Sequence, residues 1–305
     1  MKVVAVVLNW RRPTDTVACV RSLRETAPDA GVVVVDNASG DDSLAVFAEQ
    51  LPGTTVVVND RNAGYAGGNN AGIEAALSDG ADAVLVLNND VVVTPGCVEA
   101  LTAYLTAHPR VPMAAPLSLL GETDVVDFYR ARVDVRSMAL DATGRDEPWD
   151  GPPEPAPTDY ATGSAMLVRA EVLRETGLFD ERFFLVWEDV DLCLRVRAAT
   201  DERPVVVPAA RVRHGRSASF GGDGSPLFGY FFARNSFLVL AKHGKPWWRW
   251  RTRRLLVRRY RVAATRAAEP MRTALTLGLR DGLRRRWGPA PDDLAALLER
   301  PPGMA

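Results

Sequence analysis

Four short apolar runs, Val3 to Leu8, Val32 to Val35, Thr55 to Val58 and Ala83 to Leu87, recur through the first third of the chain. Helix-like segments separate them: Thr14 to Thr26, Asp41 to Gln50 and Asn69 to Ser78. This alternation predicts βαβ units and an α/β fold with a mostly parallel, Rossmann-like sheet flanked by helices. Each strand runs into polar residues: Asn9 after the first, Asp36 and Asn37 after the second, Asn59 to Asn62 after the third, and Asn88 to Asp90 after the fourth. Ligands of open α/β sheets bind beyond the carboxyl ends of the strands, so chemistry is expected at these clusters.

The pattern is interrupted by Arg145 to Thr158, rich in Pro, Gly and acids, which reads as an exposed loop. It then resumes with a strand at Ala161 to Val168, helices at Ala170 to Thr176 and Glu188 to Ala199, and a strand at Pro204 to Val207. From Leu227 onward the reading is helical, with Trp247, Trp248 and Trp250 set among arginines. At 47% hydrophobic and 25% charged residues, the 305-residue chain has ample material for a core. The first apolar run is too short for a signal peptide, and no stretch approaches the roughly 20 apolar residues that cross a bilayer. The expectation is a cytoplasmic protein whose membrane contact, where it has one, is peripheral on the inner face. Cys19, Cys97 and Cys193 lie far apart among apolar residues and read as buried thiols, with no disulfide and no zinc expected.

Net charge is only −1, yet Lys242 to Trp287 holds 15 Lys or Arg against two acids, a local excess of about +13. Such a segment could meet nucleic acid, anionic lipid or a phosphorylated substrate, and charge alone does not choose. The aromatic and aliphatic residues mixed into it favour a membrane face over nucleic acid.

Three clusters could carry chemistry. Asn88-Asn89-Asp90 leaves a buried strand at the sheet's carboxyl edge, where one Asp can bind Mg2+ or Mn2+ if a diphosphate supplies further oxygens. The same residues also suit an Asx turn that merely closes the strand. Trp187-Glu188-Asp189-Val190-Asp191 opens a helix, where carboxylates are favoured by capping and the dipole. Asp191 and Arg195 have the spacing of a helical ion pair. Glu188 and Asp189, beside Phe183, Phe184 and Trp187, suit general-base work in a partly desolvated pocket. His214 follows VVVPAARVR in a Gly- and Ser-rich stretch, where a ligand or phosphate contact competes with an ordinary surface role. Between the third strand and its helix, NAGYAGGNNAG is dense in glycine and admits a phosphate at the helix N-terminus. It fits neither GxGxxG nor a P-loop.

These pieces occur in a recognisable order: LNW, VVDNAS, NAGYAGGNNAGI, LNND, TGSAMLVRAEVLRETGLFDERFFLVWEDVDLCLR, then His214. Together they resemble the inverting family 2 glycosyltransferases, in particular the rhamnosyltransferase-like branch, over roughly Val3 to Ser219. The resemblance implies a GT-A fold with a catalytic domain over 1–225, its nucleotide-binding half about 1–110 and its acceptor-binding half about 111–225. Residues 226–305 would form a basic, aromatic-rich helical tail. Asp36 would accept from the donor's base, with Asn9 and Asn37 lining the nucleoside pocket. Asn62, Gly64 and Asn70 would shape the region of the ribose and sugar phosphate, and Gly163 would let backbone approach the sugar. Asp90 would ligate the metal with Asn88 beside it, and His214 would complete the metal site. Asp189 would be the catalytic base, with Trp187 and Glu188 orienting the acceptor. One departure stands out: Asn69 occupies a position where many relatives carry Arg near the diphosphate.

The implied activity is inverting transfer of a hexose or deoxyhexose, rhamnose foremost, from a dTDP- or UDP-linked donor to a glycan or lipid-linked acceptor, assisted by Mg2+ or Mn2+. The tail offers surface for a homodimer as well as for membrane. A nucleotidylyltransferase would need a Gly-rich, Arg-containing loop after the first strand, where NWRRPTD stands instead. A catalytically inactive sugar-nucleotide or glycan-binding protein of the same fold is the alternative, disfavoured by the intact Asp90, Asp189 and His214.

Overall fold

The computed structural model describes residues 1–215, 224–291 and 294. The Gly- and Ser-rich stretch that follows His214, residues 216–223, lies outside the described residues. In chain order the elements are β1 (Val3–Asn9), α1 (Pro13–Thr26), β2 (Gly31–Asp36), α2 (Ser43–Gln50), β3 (Thr55–Val58), α3 (Gly64–Ser78), β4 (Ala83–Asn88), β5 (Val91–Val93) and α4 (Cys97–Ala107). There follow β6 (Met113–Leu120), β7 (Val126–Phe128), β8 (Arg130–Asp134), β9 (Ala139–Thr143), β10 (Ala156–Pro157), β11 (Ala165–Arg169), α5 (Ala170–Thr176), α6 (Glu188–Thr200) and β12 (Val205–His214). The chain closes with α7 (Pro226–His243), α8 (Pro246–Arg266) and α9 (Met271–Leu283).

Two compact units divide these residues: Met1–Arg132, Asp141–Phe179 and Asp189–Arg216 form one, and Val133–Leu140, Asp180–Glu188 and Ser217–Ala305 the other. The first is built on a sheet of order β10-β12-β6-β11-β4-β1-β2-β3. β4, β1, β2 and β3 are mutually parallel, as the alternation predicts, while β11 runs antiparallel between β4 and β6. Strands of such a sheet are covered on both faces and therefore read as continuous apolar runs. β1 shows this directly: Val4 and Val6 pack into one apolar cluster, and Val3, Ala5 and Val7 into the other.

Three of the expected boundaries are displaced by four residues or more. α3 begins at Gly64, five residues before Asn69, so most of the glycine-dense segment lies inside the helix. Glycine disfavours a helix by about 1 kcal/mol against alanine, which is why the sequence reads as loop. The reason for the glycines is tertiary: a Cβ on Gly68 would stand 2.5 Å from Leu8 Cδ1, and one on Gly72 2.3 Å from Val6 Cγ1. Only bare backbone lets α3 lie this close on β1. β12 continues to His214, because a register irregularity between Val207 and Arg211 absorbs Pro208 and pairing with β6 resumes beyond it. His214 is therefore a strand-end residue rather than a loop residue. β11 starts only at Ala165, which leaves Thr162, Gly163 and Ser164 in the turn before it.

The second unit is mainly α7, α8 and α9. Ser225 caps α7 by accepting from Phe228 N at 3.1 Å, and Pro226 opens the helix, where its missing N–H costs nothing. Gly278 and Gly282 of α9 meet α7 so closely that a Cβ would stand 2.4 Å from Tyr230 O or 2.6 Å from Phe237 Cδ2. α8 buries Thr252, Leu256, Tyr260 and Ala264, four residues at a spacing of four that form one stripe. Phe231 and Leu256 are fully buried inside this unit. Among the described residues, no helix is long and apolar enough to cross a membrane.

Candidate active site

At the carboxyl end of β1 and β2, the strand-end residues form a buried hydrogen-bonded thread. Asn9 donates to Asp36 Oδ1 (2.9 Å), Ser39 Oγ (3.0 Å) and Ser43 Oγ (3.1 Å), and accepts from Thr16 Oγ1 at 2.8 Å. Asp36 also accepts from the backbone N–H and the hydroxyl of Ser39. Thr16 in turn accepts from Asn89 Nδ2 at 3.2 Å. Asp36 is thereby linked through Asn9 and Thr16 to the Asn88-Asn89-Asp90 turn. Asn9 is wholly buried, so its amide acts on the strand ends through Asp36.

Asn37 fixes the loop between β3 and α3. It donates to Asn62 Oδ1 (3.0 Å) and Gly64 O (3.1 Å), and accepts from Asn59 Nδ2 and Ala63 N, both at 3.0 Å. Gly64 opens α3 at φ +72°, a left-handed backbone that glycine adopts without strain. Asn70 grips the backbone of Phe179 at both ends, donating to its carbonyl at 2.9 Å and accepting from its N–H at 3.0 Å. Asn69 is fully buried; its Nδ2 donates to Tyr65 O, while its Oδ1 lacks a hydrogen-bond partner among the described residues. A buried acceptor in that state ordinarily answers to a ligand or water.

Around β4 and β12 the acids and the histidine converge. His214 Nε2 lies 3.2 Å from Asp90 Oδ1 and 3.4 Å from Asn88 Nδ2, and Nδ1 lies 2.8 Å from Asp127 Oδ2. Asp127 sits on β7, accepts from Ser118 Oγ at 3.1 Å, and is nearly buried. Burial opposes charge on His214, but its hydrogen bonds to Asp127 and Asp90 outweigh that and push its pKa up to about 9. Sequence reasoning missed Asp127. Its stretch lacks a motif, and only the pairing of β7 with β6, itself beside β12, brings it to the histidine.

The Thr162-Gly163-Ser164 turn joins this cluster to Asp189. Ser164 O accepts from Asn88 N at 2.9 Å, Gly163 N donates to Asp189 Oδ2 at 3.1 Å, and Tyr65 Oη donates to Gly163 O. A Cβ on Gly163 would lie 2.6 Å from Tyr65 Oη, so glycine is required here by the Tyr65 ring. Asp189, near the start of α6, also accepts from Val190 N at 2.7 Å. Burial raises its pKa, partly offset by these backbone N–H groups. Asp191 pairs with Arg195 at 2.9 Å, the helical ion pair expected from spacing.

Trp187 and Glu188 belong to the second unit. Trp187 is buried, with Nε1 donating to Phe232 O at 3.2 Å. The backbone leading to it is strained, with positive φ at Phe184, Val186 and Trp187. Asn235 holds that segment by donating to the carbonyls of Phe183, Leu185 and Val186. Buried Arg234 reaches the carbonyls of Arg182, Phe183 and Gly288.

A parallel sheet extended by antiparallel β11, with acids and a histidine at the strand ends, defines a GT-A glycosyltransferase fold. A crystal structure of GalNAc-T7 with UDP, GalNAc and Mn2+ matches it with a TM-score of 0.65 at 16% identity, over 99% of this chain. The chain spans 59% of that structure's length. The sequence model of Glycosyl transferase family 2 matches residues 5–126, and that of Glycosyl transferase family group 2 matches residues 83–286. The chain belongs to the family 2 glycosyltransferases. It is 28% identical over 244 residues to the N-acetylglucosaminyl-diphospho-decaprenol L-rhamnosyltransferase of Mycobacterium tuberculosis, covering 73% of this chain and 78% of that one. It is 24% identical over 229 residues to the dTDP-rhamnosyl transferase RfbF of Shigella flexneri, covering 70% and 72%.

Proposed function

We propose that this protein transfers a deoxyhexose, rhamnose foremost, from a nucleoside diphosphate to a hydroxyl of a lipid-linked glycan, with inversion at the anomeric carbon. The observation that carries the reading is the joining of the Asp90–His214 cluster to Asp189 through the Gly163-Ser164 turn. The two rhamnosyltransferase relatives support the sugar, and the name of RfbF supports a dTDP-linked donor.

Asp189 takes the proton of the acceptor hydroxyl as that oxygen forms its bond to the anomeric carbon. The bond from that carbon to the diphosphate oxygen breaks on the opposite side, and the nucleoside diphosphate leaves with the electron pair. Gly163 N–H holds the carboxylate in place for this step. Asp36, oriented by Asn9 and Ser39, is the acceptor offered to the nucleobase. Asn37 and Asn62 shape the loop before α3, Gly64 opens the helix, and Asn70 anchors it to Phe179. Trp187 and Glu188 are assigned to the acceptor side.

A carboxylate and an imidazole nitrogen 3.2 Å apart are a donor set that suits Mn2+ or Mg2+ when a diphosphate completes it. Asp90 and His214 would hold the ion, with Asn88 beside them. Such an ion supplies neutralisation of the charge that grows on the departing diphosphate. Asp127 accepts from His214 Nδ1–H, which leaves Nε2 as the ligating nitrogen. Asp127→Asn is therefore expected to weaken Mn2+ binding by about 10- to 100-fold, read by calorimetric titration of Mn2+ in the presence of nucleoside diphosphate. Equal Mn2+ affinity in the two proteins would remove Asp127 from the site.

The direct test is thermal unfolding with Mn2+ and a panel of nucleoside diphosphates, for wild type and Asp90→Ala. At about a hundred times its Kd, the correct nucleotide adds about 2.7 kcal/mol, which is roughly 4 °C for a protein of this size. Asp90→Ala should lose the Mn2+-dependent part. If no diphosphate at millimolar concentration shifts wild type, the donor site is not as described. The C-terminal unit, with its excess of positive charge, is assigned a peripheral contact with an anionic membrane, which places the enzyme beside a lipid-linked acceptor.

A further inference from the structure

The stripe that α8 buries leaves a second stripe on the same helix. Trp250, Arg253, Arg254, Val257, Arg258, Arg261 and Val262 follow one another at spacings of three, one, three, one, three and one, which is one continuous helix face. With Leu283 of α9 they line an open groove of about 820 Å³, wholly within the C-terminal unit. Trp250 is 52% exposed and Val262 39%. None of Arg253, Arg254, Arg258 and Arg261 makes an ion pair with a carboxylate among the described residues; Arg254 lies over the Trp250 ring at 5.9 Å.

Four unpaired guanidiniums gathered along a groove repel one another, and an anion entering it relieves that repulsion. Guanidinium forks match phosphate oxygens in pairs, so the anion of best fit is a phosphate ester. The rest of the lining is apolar: Trp250, Val257, Val262 and Leu283 suit the glycerol and first methylenes of a lipid rather than a free ion or the polar edge of a nucleic acid. Exposed tryptophan beside arginine is the pairing found where protein meets the headgroup layer. The inward stripe of α8 is already consumed by packing, so the helix is held rigidly and presents this face without inserting.

We propose that this groove is a binding site for the phosphate headgroups of anionic phospholipids. The inference deepens the membrane contact assigned above and rests on that reading. It narrows the contact from the charge of the whole unit to one helix face.

The test is sedimentation of the full chain with vesicles of phosphatidylcholine, with and without phosphatidylglycerol. It compares wild type, the double variant Arg254→Glu/Arg258→Glu, and the charge-matched double variant Arg251→Glu/Arg272→Glu, whose positions lie on the same unit but do not line the groove. An arginine near an anionic bilayer contributes about fivefold in affinity, so the groove variant should lose at least about 25-fold. The matched variant should stay within about threefold of wild type, on the same scale. Sodium phosphate at the same ionic strength as sodium chloride should not release the protein further, which separates a lipid site from a site for free phosphate. Equal loss in both double variants would show diffuse charge and overturn the groove. Equal binding to pure phosphatidylcholine would overturn the lipid reading altogether, as would preference for duplex DNA over the vesicles. The vesicle assay contains no nucleotide, and the groove variant's response to nucleoside diphosphate is measured separately, so failure here leaves the donor site standing.

Discussion

Asp189→Asn is expected to slow transfer by about 10³-fold while leaving nucleoside diphosphate binding unchanged. Asparagine keeps an oxygen for Gly163 N–H but takes no proton from the acceptor, so the loss falls on the chemical step. The measurement is release of nucleoside diphosphate from the sugar nucleotide in the presence of a soluble analogue of the N-acetylglucosaminyl lipid named for the mycobacterial relative. A rate within tenfold of wild type would remove Asp189 from the role of base. The pH profile supplies an independent check. Burial holds this carboxyl above the usual aspartate range, against the opposing pull of the Gly163 and Val190 N–H groups. The base works only when ionised, so the wild-type rate should climb with pH through that raised value. The same shift has a cost for stability: between the ordinary aspartate pKa and the raised native one, the folded chain holds the proton more tightly, and stability falls as pH rises. Above that raised value the ionised carboxylate is thus a burden, and Asp189→Asn should not lower Tm by more than about 3 °C.

Arg234→Met is expected to give the largest loss of stability, about 3 to 5 kcal/mol. Arg234 is fully buried on α7 and donates to three main-chain carbonyls, those of Arg182, Phe183 and Gly288. Its guanidinium also lies over the rings of Phe231, at 4.6 Å, and Tyr230, at 5.4 Å. Methionine fills much of the volume but removes three charge-assisted hydrogen bonds at once: Gly288 O loses its donor, while Phe183 O keeps Asn235 Nδ2 and Arg182 O keeps Gly288 N. Tm should fall by roughly 5 to 8 °C. Arg234→Lys should not restore it, because one ammonium cannot reach acceptors spread along a planar fork. A loss below about 1 kcal/mol in Arg234→Met would mean that the Arg182–Val186 backbone is held by Asn235 without the arginine's help.

In the parallel half β1, β2 and β4 were legible because they are buried on both faces and written mainly in Val, Leu and Ala, whereas the half-buried edge strand β3 was legible from its β-branched run. α3 was only half legible. Its glycines lower helix propensity, and their purpose, clearance for Leu8, Val6 and Val35, exists only once the helix lies on the sheet. Asp90, His214 and Asp189 could be picked out from motifs in order along the chain, and Asp191–Arg195 from helical spacing. Asp127 and Thr16 could not. Each acts through a partner 87 or 73 residues away, and pairings that distant follow from strand order rather than from any local signal.

For this protein, then, sequence alone determined the α/β class, the family, and the residue types available at the strand ends, since local periodicity and motif order are properties of neighbours along the chain. Tertiary structure decided which of those residues meet. It set Asp127 against His214, drew the Gly163-Ser164 turn between Asn88 and Asp189, and buried Asn9 beneath Asp36. It also sorted the basic helix α8 into an inward stripe and an outward groove. Hydrogen bonds and packing depend on distance in space, and only the fold sets that distance.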